Sequence, residues 1–309
     1  MHAENTSPVP FDPLPFILDC RGRTLDCRPH REAGAHVMGI LNVTPDSFFD
    51  GGKYVDRDAA LRRTEQILTE GAVIVDVGGE SSRPRGSVYG EGAEAVAADE
   101  ELRRVLPIVE AVADRFPEAV ISVDTYKPEV VRAVLDAGAH IINDITGLRY
   151  STEPAEIAAS YGAPVIVMHS RGKPGSAPEH HEYVDIVDDV LSSLRESTKR
   201  AQSAGVQHVV IDPGFGFGKT PRENLTLLRE VQSLLELGRP VLIGVSRKST
   251  IGAVLGSPAA PAPVDERLFG SLGATAVAVM NGASIVRTHD VAPTVEMLSL
   301  IGAVMGSGI

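Results

Sequence analysis

Eight short runs of apolar, often β-branched residues recur along this chain, and each run ends in polar residues. Apolar runs of this length are typical of parallel strands that are buried on both faces. Segments with a helical pattern separate the runs, so strand and helix alternate. The eight runs are VMGILN, VIVDVGGE, AVISVDT, HIINDIT, PVIVMHS, VVIDPGF, PVLIGVSRK and SIVRTHD.

This alternation predicts one α/β domain, a closed (β/α)8 TIM barrel. A barrel of this kind takes about 250 residues, and the chain has 309. Residues 1–14 are polar and rich in proline, and we expect a mobile N-terminal tail there. Residues 15–309 are expected to form the barrel. An N-terminal β-hairpin at 16–28 is placed to cover its lower mouth.

Charge and composition restrict the partners of the chain. Its formal net charge is −12 and its pI is near 5.2, which disfavours nucleic acids and membranes because both need a basic surface. Its two cysteines, Cys20 and Cys27, are predicted to be free thiols. The N-terminus lacks a signal-peptide pattern, and the apolar stretch at 272–280 is too short to span a bilayer. We therefore predict a cytoplasmic protein.

Three polar residues stand at the ends of the third, fourth and sixth predicted strands, namely Asp124, Asn143 and Asp212. Active sites of TIM barrels lie at these strand ends. Two carboxylates and an amide suit the amino group, amide edge and ring N–H groups of a flat heterocycle, because buried carboxylates need donors. The alternative is that backbone groups satisfy them. Asp76 and Glu80 are interpreted as supporting residues.

Lys248, Arg287 and His289 follow the seventh and eighth strands, where TIM barrels often bind phosphate. Arginine binds phosphate in a bidentate manner and lysine as a point charge. Ser249 is placed to cap a helix whose N-terminus would attract an anion. The alternative is that these side chains form ion pairs with acidic neighbours. Asn42, after the first strand, offers an oxygen to Mg2+, which needs few protein ligands beside substrate phosphates.

Two further segments carry weaker signals. The glycine-rich segment 212–220 does not match a Walker A loop, and its glycines are predicted to bend the chain. Ser82, Arg83 and Pro84 lie in the long segment after the second strand, where Arg83 is placed to meet a second anionic substrate. Because no Ser-His-Asp or Cys-His order is present, covalent catalysis is not favoured.

In these motifs the chain resembles the dihydropteroate synthases of folate biosynthesis. The matching stretches run in the family's order over most of the chain. They are MGILNVTPDSFFDGG, DVGGESSRP, ISVDTYKPEV, IINDI, VIVMHSRG, IDPGFGFGK, GVSRKSTIG and IVRTHD. The chain departs from the family at Ser82, which is often Thr, at Tyr126, which is often Ser, and in the loop SRGKPGSAPEHHEY.

The resemblance implies an Mg2+-dependent condensation of p-aminobenzoate with 6-hydroxymethyl-7,8-dihydropterin diphosphate, and a homodimer formed through the late helices. It also implies roles for individual residues. Pterin binding is assigned to Asp124, Asn143, Asp212, Lys248, Met168 and Gly244; diphosphate binding to Asn42, Arg287 and His289, with Mg2+ on Asn42; p-aminobenzoate binding to Ser82, Arg83, Pro84, Phe217, Lys248 and Ser249. Asp124, Asn143, Asp212 and Lys248 are the expected catalytic residues.

Two other functions remain open at this point. A pterin-binding methyltransferase barrel would share the three polar residues of the heterocycle site, but it would not need the SRKS run or the Arg-x-His pair at 287–289. An inactive pterin-binding paralogue would be marked by loss of a site residue. None of the assigned positions is lost.

Overall fold

The computed structural model describes residues 14–30, 34–44, 57–80, 96–172 and 183–306. Over these residues the predicted alternation is present as a barrel of eight parallel strands surrounded by helices. The predicted hairpin is a separate antiparallel pair, β1 (Ile17–Asp19) with β2 (Thr24–Asp26). Residues 1–13 of the predicted tail lie outside the described residues.

Eight strands form the barrel, and each pairs in parallel with its neighbours. The sheet runs in chain order from the first strand to the sixth, and the eighth strand pairs with both the first and the seventh. The strands are β3 (His36–Asn42), β4 (Ile74–Gly78), β5 (Val120–Asp124), β6 (Ile141–Asp144), β7 (Val165–Met168), β8 (Val209–Asp212), β9 (Leu242–Ile243) and β10 (Ile285–Thr288).

The barrel closes between β8 and β9. A single parallel bridge joins Ile211 to Val241, and the Ile211 amide donates to the Pro240 carbonyl at 3.0 Å. β9 is shorter than the predicted strand at 240–245. Pro240 has no N–H to give to a ladder, and the chain already turns at Val245, whose carbonyl accepts from the Lys248 amide.

The helices around the barrel follow the sequence signals closely. They are α1 (Arg57–Thr69), α2 (Ala98–Arg115), α3 (Pro128–Asp136), α4 (Glu153–Ser160), α5 (Ile186–Ser203), α6 (Pro221–Arg229), α7 (Val231–Leu234), α8 (Ser249–Leu255), α9 (Leu268–Met280) and α10 (Val291–Gly306). Pro128 begins α3, a favoured first position. None of the helices within the described ranges is long and apolar enough to cross a lipid bilayer.

The helix predicted at 222–236 is divided in the structure. A capping box between Thr220 and Glu223 fixes the start of α6. Glu230 then leaves the helical region, with φ −100° and ψ 20°, and separates α6 from α7. A periodic pattern of apolar residues does not reveal such a break, because both pieces bury residues on the same side of the barrel.

One apolar side chain from each barrel strand fills the lower interior of the barrel. These side chains pack with Leu18, Cys20, Leu25 and Cys27 of the hairpin, which therefore closes the N-terminal mouth. Both cysteines are free thiols, and burial raises the pKa of Cys20 to about 12. The eight strand residues are Met38, Ile74, Val120, Ile141, Ile166, Val210, Leu242 and Ile285.

His169 follows β7 on the outer face of the barrel, because Val165 and Val167 of the same strand pack toward the helices. Its ring lies 6.1 Å from the Tyr183 ring, and the residue is only 4% exposed. Burial, followed by repulsion from Lys219, lowers the pKa of His169 to about 2. The imidazole is therefore neutral throughout the physiological range.

We expect His169 to make the fold sensitive to acid. Its pKa is below the ordinary value of 6.5, so the unfolded chain takes up a proton that the folded chain does not. The contribution is complete above pH 6.5 and is lost as the pH falls, at about 1.4 kcal/mol per pH unit. His169→Phe should reduce the slope of unfolding free energy between pH 6.5 and pH 4, measured by urea titration.

The matched control is His30→Phe at an exposed histidine. This variant should keep the wild-type slope. Equal slopes for wild type and His169→Phe would contradict the assignment.

Candidate active site

Above the apolar floor, the inward side chains of the barrel become mostly polar. Alternate residues of a strand face the same side, so residues two positions beyond the floor also point inward. These residues form an interior zone at the C-terminal ends of the strands. They are Ile40, Asp76, Ser122, Asn143, Met168, Asp212, Gly244 and Arg287, with Asn42, Gly78 and Asp124 at the next inward step.

The Asp76 carboxylate is at the centre of this zone and is fully buried. It accepts from Arg287 Nε at 2.6 Å, from Ser122 Oγ at 2.6 Å and from Asn143 Nδ2 at 3.4 Å. Arg287 also reaches Asp124, with Nη2 at 3.4 Å from Oδ2. The sequence left open that Arg287 forms an ion pair with acidic neighbours, and the structure contains such pairs with Asp76 and Asp124.

Opposing electrostatic effects act on the Asp124 carboxyl group. Burial raises its pKa, Arg287 opposes the rise, and the negative charge of Asp76 adds to it, which brings the pKa to about 8. A donor or a positive charge beside Asp124 would lower this pKa again. The carboxyl group is therefore sensitive to any cationic or N–H-bearing ligand in the zone.

Asp212 and Lys248 are oppositely charged groups of the zone that influence each other electrostatically. Burial raises the pKa of Asp212 while Lys248 opposes the rise, and Asp212 Oδ1 accepts from the Gly214 amide at 2.7 Å. Burial lowers the pKa of Lys248 to about 8, against the attraction of Asp212. Lys248 Nζ donates to the Phe215 carbonyl and lies 4.5 Å from the centre of the Phe217 ring.

The turn after β8 brings Phe217 beside Lys248, and two of its glycines are required there. Gly214 has φ +67°, and a Cβ would lie 1.8 Å from the His169 carbonyl oxygen. Gly216 has φ +83°, and a Cβ would lie 2.8 Å from Lys248 Cδ. The bend predicted from the glycine pattern is therefore present.

Lys219 anchors the same turn from below and was not foreseen from the sequence. It is 7% exposed and donates to the carbonyls of His169, Gly214 and Phe217 at 3.3, 2.8 and 3.1 Å. Burial lowers its pKa to about 7, although Asp212 opposes the change. Its three carbonyl partners fix the position of Phe217.

Arg247 and Lys248 are neighbours in the chain after β9, but their side chains have different partners. Arg247 is held away from the zone in a bidentate ion pair with Asp290, whereas Lys248 points into it. His289 is exposed, and its Nδ1 lies 3.1 Å from Ser246 Oγ. The predicted helix cap at Ser249 is wrong, because α8 starts at Ser249 and Lys248 is the N-cap, without a side-chain bond.

Asn42 is half-buried at the end of β3 and is suited to a hard cation. Its Oδ1 faces Gly78, where an added Cβ would lie 3.8 Å from that oxygen and 3.8 Å from Asp124 Cβ. Across the described ranges, no group of three or more His, Cys, Asp or Glu residues is placed to hold a metal ion. A cation bound by one protein oxygen and by ligand phosphates fits this donor set.

Three predicted site residues, Ser82, Arg83 and Pro84, lie outside the described residues. Glu80, just before them, pairs with Lys127, which also pairs with the buried Glu101. Ion pairing suits the supporting role interpreted for Glu80. Asp76, interpreted from the sequence as a supporting residue, bonds to three side chains of the zone. The two-residue period of a strand could have indicated its inward position, since Asp76 is two residues beyond the inward Ile74.

Comparisons with known proteins identify the family of this chain. A family model described as "Pterin binding enzyme" matches residues 38–289. The dihydropteroate synthase of Escherichia coli K12 is 45% identical over 276 residues, which cover 88% of this chain and 92% of that protein. The chain therefore belongs to the pterin-binding enzymes.

Similar solved structures narrow the family assignment of this chain. Dihydropteroate synthase from Xanthomonas albilineans with 4-aminobenzoic acid has a TM-score of 0.82 and 42% identity, over 94% of this chain and 98% of that one. The same enzyme in complex with 7,8-dihydropteroate has a TM-score of 0.78 and 40% identity, over 93% and 98%. Within the pterin-binding enzymes, the chain belongs to the dihydropteroate synthases.

We expect Gly244 to be needed for space in the interior zone. A Cβ there would lie 3.7 Å from Arg287 Cβ and 3.9 Å from Lys248 Nζ, which is ordinary contact, so Gly244→Ala should fold normally. Gly244→Leu would extend into the zone and should weaken binding of 7,8-dihydropteroate by about tenfold or more. Calorimetric titration measures this change.

Ser192→Leu, at an exposed position of α5 far from the zone in the chain, is the control and should bind the ligand normally. Unchanged binding by Gly244→Leu would show that position 244 does not border the ligand.

Proposed function

We propose that this chain joins 6-hydroxymethyl-7,8-dihydropterin diphosphate to p-aminobenzoate, with 7,8-dihydropteroate and diphosphate as products. The observation that carries the proposal is the interior zone, to which seven strands or their following loops contribute carboxylates, two amides and cationic side chains. Family membership gives this combination its chemistry. The named relatives are dihydropteroate synthases, which favours this function over a methyltransferase or an inactive paralogue.

The pterin ring is assigned to the deeper part of the zone. Asp124, Asn143 and Asp212 supply two carboxylates and an amide for the donors and acceptors of the ring. Met168 is buried beside Asp212 in the strand register and gives an apolar wall. Ring N–H groups that donate to Asp124 lower its pKa, so ligand binding favours the ionised carboxylate.

The diphosphate is assigned to the side of the zone formed by β3 and β10. Arg287 and His289 bind its oxygens, and Asn42 contributes an oxygen ligand for Mg2+. When bound, Mg2+ withdraws negative charge from the leaving diphosphate. Arg287 keeps its Nε on Asp76 and offers its terminal N–H groups to the anion.

The reaction proposed is a dissociative substitution at the pterin methylene carbon. The C–O bond to diphosphate breaks and its electron pair leaves with the diphosphate. The dihydropterin ring delocalises the resulting positive charge, and ionised Asp124 stabilises it. The amine nitrogen of p-aminobenzoate then attacks the carbon and loses one proton. No strong base is needed, because the carbon is already cationic.

p-Aminobenzoate is assigned to the outer edge of the zone. Phe217 stacks on its ring, and Lys248 with Ser249 receives its carboxylate. Lys248 is shared by the two substrates, because its Nζ lies 4.5 Å from the centre of the Phe217 ring and is attracted electrostatically by Asp212. We assign Ser82, Arg83 and Pro84 to the same site on the basis of the family resemblance.

The activity is tested by incubating the protein with both substrates and Mg2+, and by measuring dihydropteroate and released diphosphate. We expect both products in equal amounts, and a large fall in rate when EDTA removes the cation. Lys248→Ala should raise KM for both substrates by about tenfold or more, since it removes one charge-assisted contact to each.

Lys199→Ala, at an exposed lysine of α5, is the matched control and should keep the wild-type constants. No dihydropteroate from the wild-type protein would exclude the proposed function. Wild-type KM values for both substrates in Lys248→Ala would exclude only the role of Lys248.

A homodimer through the late helices is also part of this proposal. Helix α9 contacts both α8 and α10, and it has no charged residue. Phe269 is 83% exposed, Leu300 67% and Val304 66%. A second copy of the chain would cover this apolar surface, which we call the late-helix patch. Its exposed members are Val254, Leu255, Val264, Phe269, Val277, Met280, Leu300, Val304 and Met305.

We expect Phe269→Asp to weaken the dimer, because two-fold symmetry would bury an unpaired carboxylate in each copy. The dissociation constant should rise by about tenfold or more. Sedimentation equilibrium measures it directly. Val184→Asp, at a fully exposed valine outside the late-helix patch, should leave the dimer intact. A wild-type monomer at micromolar concentration would contradict this part of the proposal.

A further inference from the structure

Asp76 connects three strands through a single carboxylate. Its partners Ser122, Asn143 and Arg287 belong to β5, β6 and β10. Two of these partners, Asn143 and Arg287, are assigned to opposite halves of the same ligand. Because Asp76 is fully buried in the zone below Asp124, it is placed to act through its partners and not on the ligand.

The bond from Asp76 decides the orientation of the Arg287 side chain. The 2.6 Å contact involves Nε, whereas the contact between Nη2 and Asp124 is longer, at 3.4 Å. A guanidinium is planar and rigid, so a short bond at Nε fixes the direction of both terminal nitrogens. The weaker contact to Asp124 is the one that a ligand can replace.

Asp76 also competes with Asp124 for the positive charge of Arg287. Two buried carboxylates share one guanidinium here, and the shorter bond goes to Asp76. If Asp76 lost its charge, Asp124 would be the one carboxylate still in contact with Arg287 among the described residues, and a tight ion pair would form between them. That pair would occupy the acceptor assigned to the pterin ring and would withdraw the cation assigned to the diphosphate.

We infer that Asp76 is a positioning residue that holds Arg287 and Asn143 in their ligand-binding orientation and prevents Arg287 from closing onto Asp124. This inference rests on the proposed function and adds to it the residue that couples the two halves of the pterin diphosphate site. Asp76 does not contact p-aminobenzoate in this assignment, so the two substrates should respond differently to its loss.

The first test is Asp76→Asn, which preserves shape and removes the charge. KM for the pterin diphosphate should rise by about tenfold or more, the usual scale for loss of a group that orients a ligating side chain. KM for p-aminobenzoate should change by less than about twofold, within the scatter of an uninvolved site. Affinity for 6-hydroxymethylpterin, which lacks the diphosphate, should also fall, because Arg287 then occupies Asp124.

The second test places Asp76→Asn in an Arg287→Gln background. With no guanidinium to misplace, the added loss of pterin affinity should fall below about threefold, so the two changes should be strongly non-additive. The double variant should also melt at a higher temperature than Arg287→Gln, in which two buried carboxylates have lost their cation.

Asp144→Asn is the matched control. Asp144 is also buried, on β6, but it accepts from the backbone amides of Thr146 and Leu148. This variant should lose stability, but it should not raise KM for the pterin diphosphate relative to KM for p-aminobenzoate. If Asp76→Asn does not fold, Ser122→Ala replaces it. Ser122→Ala removes one donor to the same carboxylate and should raise KM for the pterin diphosphate alone, by about threefold.

Three results would overturn the inference. These are an unchanged KM for the pterin diphosphate in Asp76→Asn, or in Ser122→Ala if that variant is used; equal rises of both KM values; and additive effects in the Arg287→Gln background. Failure of the proposed function is a separate result, since wild-type protein would then form no dihydropteroate. The pterin affinities would still decide the role of Asp76 in that case.

Discussion

Closure of the parallel sheet is the constraint on which the other features of this protein depend. In a closed barrel every second side chain of each strand enters one shared interior. The lower inward positions are apolar and are closed off by the hairpin. The upper inward positions carry Asp76, Asn143, Asp212 and Arg287. Asp76 accepts from both Asn143 and Arg287, whereas Asp212 accepts from the Gly214 amide.

The charges in this interior are arranged in incomplete pairs. Arg287 serves two carboxylates, and Asp212 shares its surroundings with Lys248. Burial moves the pKa of Asp124 and the pKa of Lys248 to about 8, against partial opposition from Arg287 and Asp212 respectively, so binding of an anion or a donor changes their protonation readily. Beside these charges, Lys219 holds the turn after β8 through hydrogen bonds to three backbone carbonyls.

Much of the candidate site could be predicted because its residues stand directly after apolar runs. Asp124, Asn143 and Asp212 are at such positions, and the strand ends meet in any TIM barrel. The sequence predicts only a supporting role for Asp76, because its partner Arg287 is 211 positions away in the chain. Lys219 looked like the end of a glycine motif, and only the fold shows that three carbonyls surround it.

The sequence by itself determined the order of strands and helices, the apolar floor and the set of polar residues at the strand ends. Local periodicity and turn chemistry suffice for these, since each depends on neighbours in the chain. Only the tertiary structure decided which charges meet. The registers of β10 on β3, of β3 on β4 and of β4 on β5 bring Arg287 to Asp76 and Asp124, whereas Arg247 pairs with Asp290. Register between distant strands is a long-range property, and no local pattern encodes it.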